Sequence, residues 1–101
     1  MSVIKVTDKN FQKEVMGCET PVVVDFWAEW CGPCKAFSPV VEEFADAHHE
    51  VKVCKVNVET EEELALKYEI MSVPTVLVFK EGKITNRASG TKTVQQLENM
   101  L

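Results

Sequence analysis

Two cysteines stand three positions apart in the segment WAEWCGPCK, which runs from Trp27 to Lys35. At the start of a helix, side chains at positions i and i+3 lie on the same side, so the sulfurs of Cys31 and Cys34 can join and separate without unfolding the chain. Such a pair can be a structural crosslink, part of a metal site or a reversible electron carrier. A crosslink is the weakest of the three interpretations, because a bridge that closes so short a loop restricts the unfolded chain little.

A zinc site would need ligands in addition to this pair, since structural zinc is usually held by four Cys or His side chains. The remaining thiols, Cys18 and Cys54, are isolated in the sequence. His48 and His49 are adjacent, so on a helix their side chains would point apart. The sequence therefore disfavours a metal site and favours reversible thiol-disulfide chemistry.

The position of Cys31 indicates which sulfur attacks. The residue follows an apolar strand and stands at or beside the N-cap of a predicted helix, where unpaired N–H groups and the helix dipole stabilise an anion by about 0.3–2 kcal/mol. Because the thiolate is the nucleophile of disulfide exchange, Cys31 is predicted to attack. Cys34, one turn inside the helix, is predicted to be more shielded and to act as the resolving thiol.

Alternating strands and helices must position this pair. Hydrophobic patterns predict five strands, at Ser2–Val6, Pro21–Ala28, Val51–Val58, Thr75–Phe79 and Lys83–Ala88. Four helices are predicted: one capped by Thr7 or Asp8 that carries Phe11, Val15 and Met16 on one face and stops at Gly17, then Pro33–Ala47, Glu61–Tyr68 and Thr93–Leu101. This order predicts an α/β fold with a mixed sheet and helices on both faces. Cys31 then lies at the carboxyl end of a strand, where open α/β sheets bind their ligands.

Asp25 is the only charged residue in the apolar run PVVVDFWA. A carboxylate in a strand that is covered on both faces loses hydration, so we expect its pKa to be raised. An ordinary edge or surface Asp is the alternative, and the pattern alone leaves both interpretations open.

Composition limits the class of protein. A chain of 101 residues with 46% hydrophobic content predicts one domain, residues 1–101. The net charge of −5, with Lys and Arg scattered singly, disfavours a nucleic-acid surface. No apolar run exceeds the four residues Val76–Phe79, so neither a secretory signal nor a membrane segment is expected. Four cysteines are too few for a disulfide-stapled secreted scaffold, which predicts a cytoplasmic location.

The segment WAEWCGPCK, with DFWA ahead of it, VPT at Val73–Thr75 and KEGK at Lys80–Lys83, closely resembles the thioredoxin family over essentially all 101 residues. The resemblance implies a thioredoxin fold, with a central mixed sheet of about five strands flanked by four helices. It implies a monomeric protein-disulfide reductase that contributes to cell redox homeostasis and carries no bound cofactor beyond its own disulfide. The expected partners are disulfide-containing client proteins and a flavin-containing thioredoxin reductase.

The same resemblance assigns roles around the cysteine pair. Asp25 is expected to take the proton from Cys34, and Lys55 is expected to pair with Asp25. Gly32 and Pro33 carry no reactive group but tune the site, since the oxidising relatives have a positively charged His in the place of Pro33. This chain is therefore expected to favour reduction.

A substrate groove is implied beside the pair. Trp30 directly precedes Cys31, and large amphipathic rings are favoured in interfaces. The resemblance implies that Pro74 follows a cis peptide bond and packs on the disulfide, that the Val73 backbone pairs with an extended substrate, and that Gly90 borders the groove. By themselves, Pro74 could simply begin a strand and Gly90 could simply occupy a turn.

A binding module that keeps this fold, with incidental redox activity, is the alternative function. The intact WCGPC motif, Asp25 and Pro74 argue against it. Cys18 and Cys54 are expected to be bystanders.

Overall fold

A central five-stranded sheet organises the protein, whose computed structural model describes residues 2–101. The strands are β1 (Val3–Lys5), β2 (Val22–Trp27), β3 (Lys52–Asn57), β4 (Thr75–Lys80) and β5 (Lys83–Ser89). They lie in the order β1-β3-β2-β4-β5, in which β1, β3 and β2 run parallel while β4 and β5 continue the sheet antiparallel. The predicted mixed sheet is confirmed. The β-branched and aromatic strand β2 lies at its centre, where both faces are covered.

Helices lie on both faces of this sheet. They are a π-helical segment, Gln12–Met16, and three α-helices, α1 (Gly32–Ala47), α2 (Glu62–Lys67) and α3 (Val94–Asn99). Helix α3 starts with a capping box, in which Thr93 Oγ1 accepts from Gln96 N and Gln96 Oε1 accepts from Thr93 N. Within residues 2–101, no helix combines the length and apolarity needed to cross a membrane.

The first helix differs from its prediction. Phe11 occupies its N-cap position without a side-chain cap, so the predicted cap at Thr7 or Asp8 is wrong. The reason is local: Asn10 Oδ1 accepts from the Thr7 N–H at 2.7 Å and forms a turn where the helix was expected to begin. Gly17 ends the helix as predicted, by donating its N–H to Gln12 O at 2.8 Å in the π pattern.

Side chains alternate between two cores, one on each face of the sheet. The residues buried on the first face, toward the π-helical segment and α2, include Phe11, Val15, Val24, Phe26, Leu77 and Phe79. Those buried on the second face, toward α1 and α3, include Val23, Phe37, Phe44, Val53, Val76, Val78 and Leu97. The period of two along each strand thereby turns Asp25, between Val24 and Phe26, toward α1. The same alternation turns Lys55 of β3 toward α1.

Candidate active site

Cys31 and Cys34 form a disulfide where the loop after β2 enters α1, with 5.2 Å between their Cα atoms. Cys31 is the N-cap of α1, and its Sγ accepts the backbone N–H of Cys34 at 3.1 Å. The Cys31 N–H in turn donates to Ala28 O at 3.2 Å. The predicted N-cap position of Cys31 is confirmed, so this sulfur is held at the positive end of a 16-residue helix.

Solvent exposure does not distinguish the two cysteine residues. Cys31 and Cys34 are each 3% exposed in the closed disulfide, so Cys34 is not the more shielded residue that the sequence predicted. Gly32 and Pro33 are exposed, and a Cβ placed on Gly32 would meet nothing within 4 Å. The approach over this turn of the chain is therefore open.

Asp25 is buried beside the disulfide. It is 5% exposed and lines a cavity of about 120 Å³ together with Trp27, Cys34, Lys35, Ser38 and Lys55. Its Oδ1 has no hydrogen-bond partner among residues 2–101, and the same holds for the buried Trp27 Nε1. Loss of hydration raises the pKa of Asp25 to about 7, against the opposing attraction of the Lys55 ammonium. The raised pKa expected from the sequence is confirmed.

Lys55 reaches this cavity without forming the expected direct ion pair with Asp25. The two residues are register partners on β3 and β2, so their side chains lie on the same face. The Lys55 ammonium extends instead over the Trp27 ring, 5.9 Å from its centroid. Within residues 2–101, the ion pairs join other residues, namely His48 with Glu50 and Glu98, and Lys52 with Glu14. Lys55 therefore acts on Asp25 through the cavity rather than by contact.

The loop before β4 brings a second strip of backbone to the disulfide. The Val73–Pro74 peptide bond is cis, as the resemblance implied, and Val73 O lies 3.7 Å from Cys31 Sγ. The Gly90 N–H donates to Pro74 O at 2.8 Å, with Gly90 at a φ of 87°, which an L side chain rarely adopts. Trp30 is 71% exposed. The structure thus brings Val73 to Cys31, and a hydrogen bond joins Gly90 to the adjacent Pro74.

Two side-chain contacts of this region were not identified from the sequence. Glu59 Oε1 accepts the Glu29 N–H at 2.8 Å, next to Trp30. Arg87 donates to the loop that leads to Val73, at Tyr68 O and Glu69 O. Both contacts join residues at least 18 positions apart, so no local pattern signals them.

The two free thiols lie away from this disulfide. Cys54 is fully buried within β3, and its burial raises the pKa of the thiol to about 12. Cys18 is half-buried, with its Sγ 3.1 Å from Thr20 Oγ1. Among residues 2–101, no three His, Cys, Asp or Glu side chains are grouped so that they could hold a metal ion.

Comparison with known proteins identifies the family. The thioredoxin family model matches residues 2–101. The chain belongs to the thioredoxin family. It is 45% identical over 101 residues to thioredoxin from Alicyclobacillus acidocaldarius subsp. acidocaldarius, an alignment that covers 99% of this chain and 95% of the relative.

Other relatives agree with this assignment. Thioredoxin C-2 from Corynebacterium nephridii is 46% identical over 90 residues, which are 88% of this chain and 83% of the relative. Thioredoxin from Porphyra purpurea is 42% identical over 102 residues, with 100% and 95% coverage. The chain is a thiol-disulfide oxidoreductase with the activity class of a protein-disulfide reductase, and its Cys31–Cys34 disulfide occupies the active-site position of the thioredoxin family.

Proposed function

We propose that this chain reduces disulfides in client proteins by using Cys31 as the attacking sulfur and Cys34 as the resolving sulfur. The observation that carries the assignment is the N-cap position of Cys31, whose Sγ accepts the Cys34 N–H at 3.1 Å. A sulfur that receives an N–H bond at a helix amino end is stabilised as an anion, and the thiolate is the form that attacks.

The two electrons that reduce the client disulfide come from the Cys31 and Cys34 thiols. The Cys31 thiolate attacks one sulfur of a client disulfide, which forms a mixed disulfide and releases the other client sulfur as a thiolate. Cys34 then loses its proton and attacks Cys31 Sγ, which forms the intramolecular disulfide and releases the second client sulfur. Two electrons pass to the client, and the 5.2 Å between the Cα atoms accommodates the closed bridge. This chemistry needs no bound cofactor.

Asp25 is the proposed base that receives the Cys34 proton. The two side chains line one cavity, and a pKa of about 7 lets the carboxylate both accept and return a proton near neutral pH. The cavity has room for water that can carry the proton between them. Lys55, on the cavity wall, favours the ionised form of Asp25 by its charge.

The proposed client surface surrounds the disulfide. The exposed Trp30 ring supplies apolar contact beside Cys31, and the Val73 backbone, close to Cys31 Sγ, is placed to pair with an extended segment. Pro74 and Gly90 form the adjoining wall through their mutual hydrogen bond. Gly32 and Pro33 are exposed and add no positive charge, which favours the reducing direction.

We further propose that the chain is one domain over residues 1–101 and works as a cytoplasmic monomer. Family membership supports disulfide-containing clients and re-reduction by a thioredoxin reductase. The buried core on both sheet faces supports a single folding unit for the described residues.

The test is reduction of insulin with dithiothreitol as the electron donor, comparing the wild type with Cys31→Ser. Cys31→Ser should not accelerate the reaction above dithiothreitol alone, while Cys34→Ser should accumulate client proteins joined covalently through Cys31. Equal rates for the wild type and Cys31→Ser would instead favour a binding module. Adducts on Cys34 of the Cys31→Ser protein, with none on the Cys34→Ser protein, would reverse the proposed order of attack.

A further inference from the structure

Arg87 makes a paired contact with the loop that precedes Pro74. Its Nη1 donates to Tyr68 O at 2.6 Å and its Nη2 donates to Glu69 O at 2.5 Å. Tyr68 is the C-cap of α2, where backbone carbonyls lack partners within the helix and the dipole is negative. A guanidinium presents two parallel N–H donors in a fixed geometry, so it fixes both carbonyls at once.

The backbone between those carbonyls is a left-handed turn. The end of α2 holds it by bonds from the Glu69 N–H to Leu66 O and from the Ile70 N–H to Ala65 O, and Arg87 adds two further contacts. Glu69 has a φ of 54°, a left-handed conformation that an L side chain disfavours and that persists where the surroundings enforce it. The Arg87 contacts lie on the two carbonyls that bracket this residue. Within residues 2–101, Glu69 and Glu81 are the non-glycine residues with positive φ, and Glu81 lies in the hairpin turn away from the loop.

The same loop delivers the backbone that approaches the disulfide. Four residues after Glu69, Val73 O lies 3.7 Å from Cys31 Sγ. The far end of the loop is held as well, because Thr75 Oγ1 donates to Ser72 O at 2.6 Å and the Gly90 N–H donates to Pro74 O. Arg87 and Gly90 are three residues apart, so both ends of the loop are attached to the same end of the β4–β5 hairpin.

We propose that Arg87 is a positioning residue for client binding, which acts by holding the loop from Glu69 to Val73 in the conformation that presents the Val73 backbone to an extended client segment. The inference rests on the proposed function, because it assumes that clients pair with this backbone. Arg87 lies on β5 and contacts neither sulfur, so the chemistry of the disulfide itself should not depend on it.

The test separates binding from chemistry. Initial rates of insulin reduction, with dithiothreitol as the donor, give KM and kcat, while stopped-flow mixing of the reduced protein with 5,5′-dithiobis(2-nitrobenzoate) follows attack on a small disulfide that has no backbone to pair. Arg87→Ala should raise the KM for insulin about fivefold, the worth of roughly one net hydrogen bond. Its kcat and its rate with the small disulfide should remain at the wild-type values.

Two further variants sharpen the result. Arg87→Lys keeps the charge but cannot present two parallel N–H donors to the two carbonyls. Its KM for insulin should therefore lie between those of the wild type and Arg87→Ala. Lys83→Ala, which removes an exposed cation from the same strand, should match the wild type. A lower melting temperature of Arg87→Ala with an unchanged KM would make Arg87 only a structural contact and overturn the proposal.

A parallel fall in both the insulin and the small-disulfide rates would overturn it equally, because the defect would then lie in the sulfurs. Failure of the proposed function would give a different result. The wild-type protein would then react with the small disulfide but would not reduce insulin.

Discussion

Replacement of Asp25 by Asn should change how the stability of the protein depends on pH. Burial raises the pKa of Asp25 from 3.8 to about 7, so between these values the folded protein holds a proton that the unfolded chain has released. Stability contributed by this group is therefore fully present below pH 3.8 and is lost as the pH rises toward 7. The loss occurs because the ionised carboxylate must lie in a cavity where its Oδ1 lacks a hydrogen-bond donor from the described residues. Asn does not titrate, so Asp25→Asn lacks this dependence.

The size of the effect follows from the pKa difference. A difference of about 3 between the folded and unfolded values corresponds to roughly 4 kcal/mol, at about 1.36 kcal/mol per unit. The free energy of unfolding of Asp25→Asn, minus that of the wild type, should therefore increase by roughly 4 kcal/mol between pH 4 and pH 8. Any change caused by the amide itself is the same at both pH values and cancels from this increase.

Guanidinium chloride unfolding of the oxidised proteins, followed by circular dichroism at pH 4 and pH 8, measures this difference. Glu43→Gln, which removes an exposed carboxylate from α1, is the control and should track the wild type. A difference between Asp25→Asn and the wild type that stays constant with pH would refute the desolvation argument. A difference that moves in the opposite direction would show that the attraction of Lys55 outweighs burial.

The remaining predictions concern other parts of the chain. The protonated His48 ring donates to the Glu50 and Glu98 carboxylates at 3.0 and 2.8 Å, and these contacts raise its pKa above 6.5. The stabilisation is therefore present below pH 6.5 and is lost as the pH rises through the folded pKa. His48→Gln should accordingly lower the melting temperature more at pH 5.5 than at pH 8.5, and an equal decrease at both would contradict this linkage. Thr93→Ala removes the cap of α3 and should cost about 1 kcal/mol in denaturant unfolding, whereas an unchanged midpoint would show that the cap is redundant. Iodoacetamide should label Cys18 of the folded, oxidised protein but not the buried Cys54. Mass spectrometry of the protein labelled in its native and its unfolded state measures this, and equal labelling of both thiols in the native state would contradict the burial of Cys54.

Much of the fold could be predicted because local patterns and burial agree along the strands. The run at β2 is β-branched and aromatic, and it occupies the doubly covered centre that such a run favours. The pattern around Cys31 predicted its N-cap position, because a strand that ends in a helix with Pro in its first turn has few geometries. A charged residue within an apolar strand likewise predicted the raised pKa of Asp25.

Features that depend on distant contacts could not be predicted in this way. The first helix begins late because Asn10 bonds back to Thr7, and several local geometries compete for such a side chain. Lys55 was expected to pair with Asp25, but its ammonium lies over the Trp27 ring instead. The direction of so long a side chain depends on the residues packed around it, which a local pattern does not give. The left-handed Glu69 stands where a sequence pattern would call for Gly, and part of its support comes from Arg87 on another strand.

The strand that delivers Cys31 is bonded along both of its edges, to β3 on one side and to β4 on the other. This strand therefore stays paired while an edge strand frays, and its amides are expected to be among the slowest in the protein to exchange. On warming, the end of this strand that leads to Cys31 should accordingly keep its place until the sheet itself unfolds. Heat should therefore lower the fraction of folded molecules before it displaces Cys31 in any folded one.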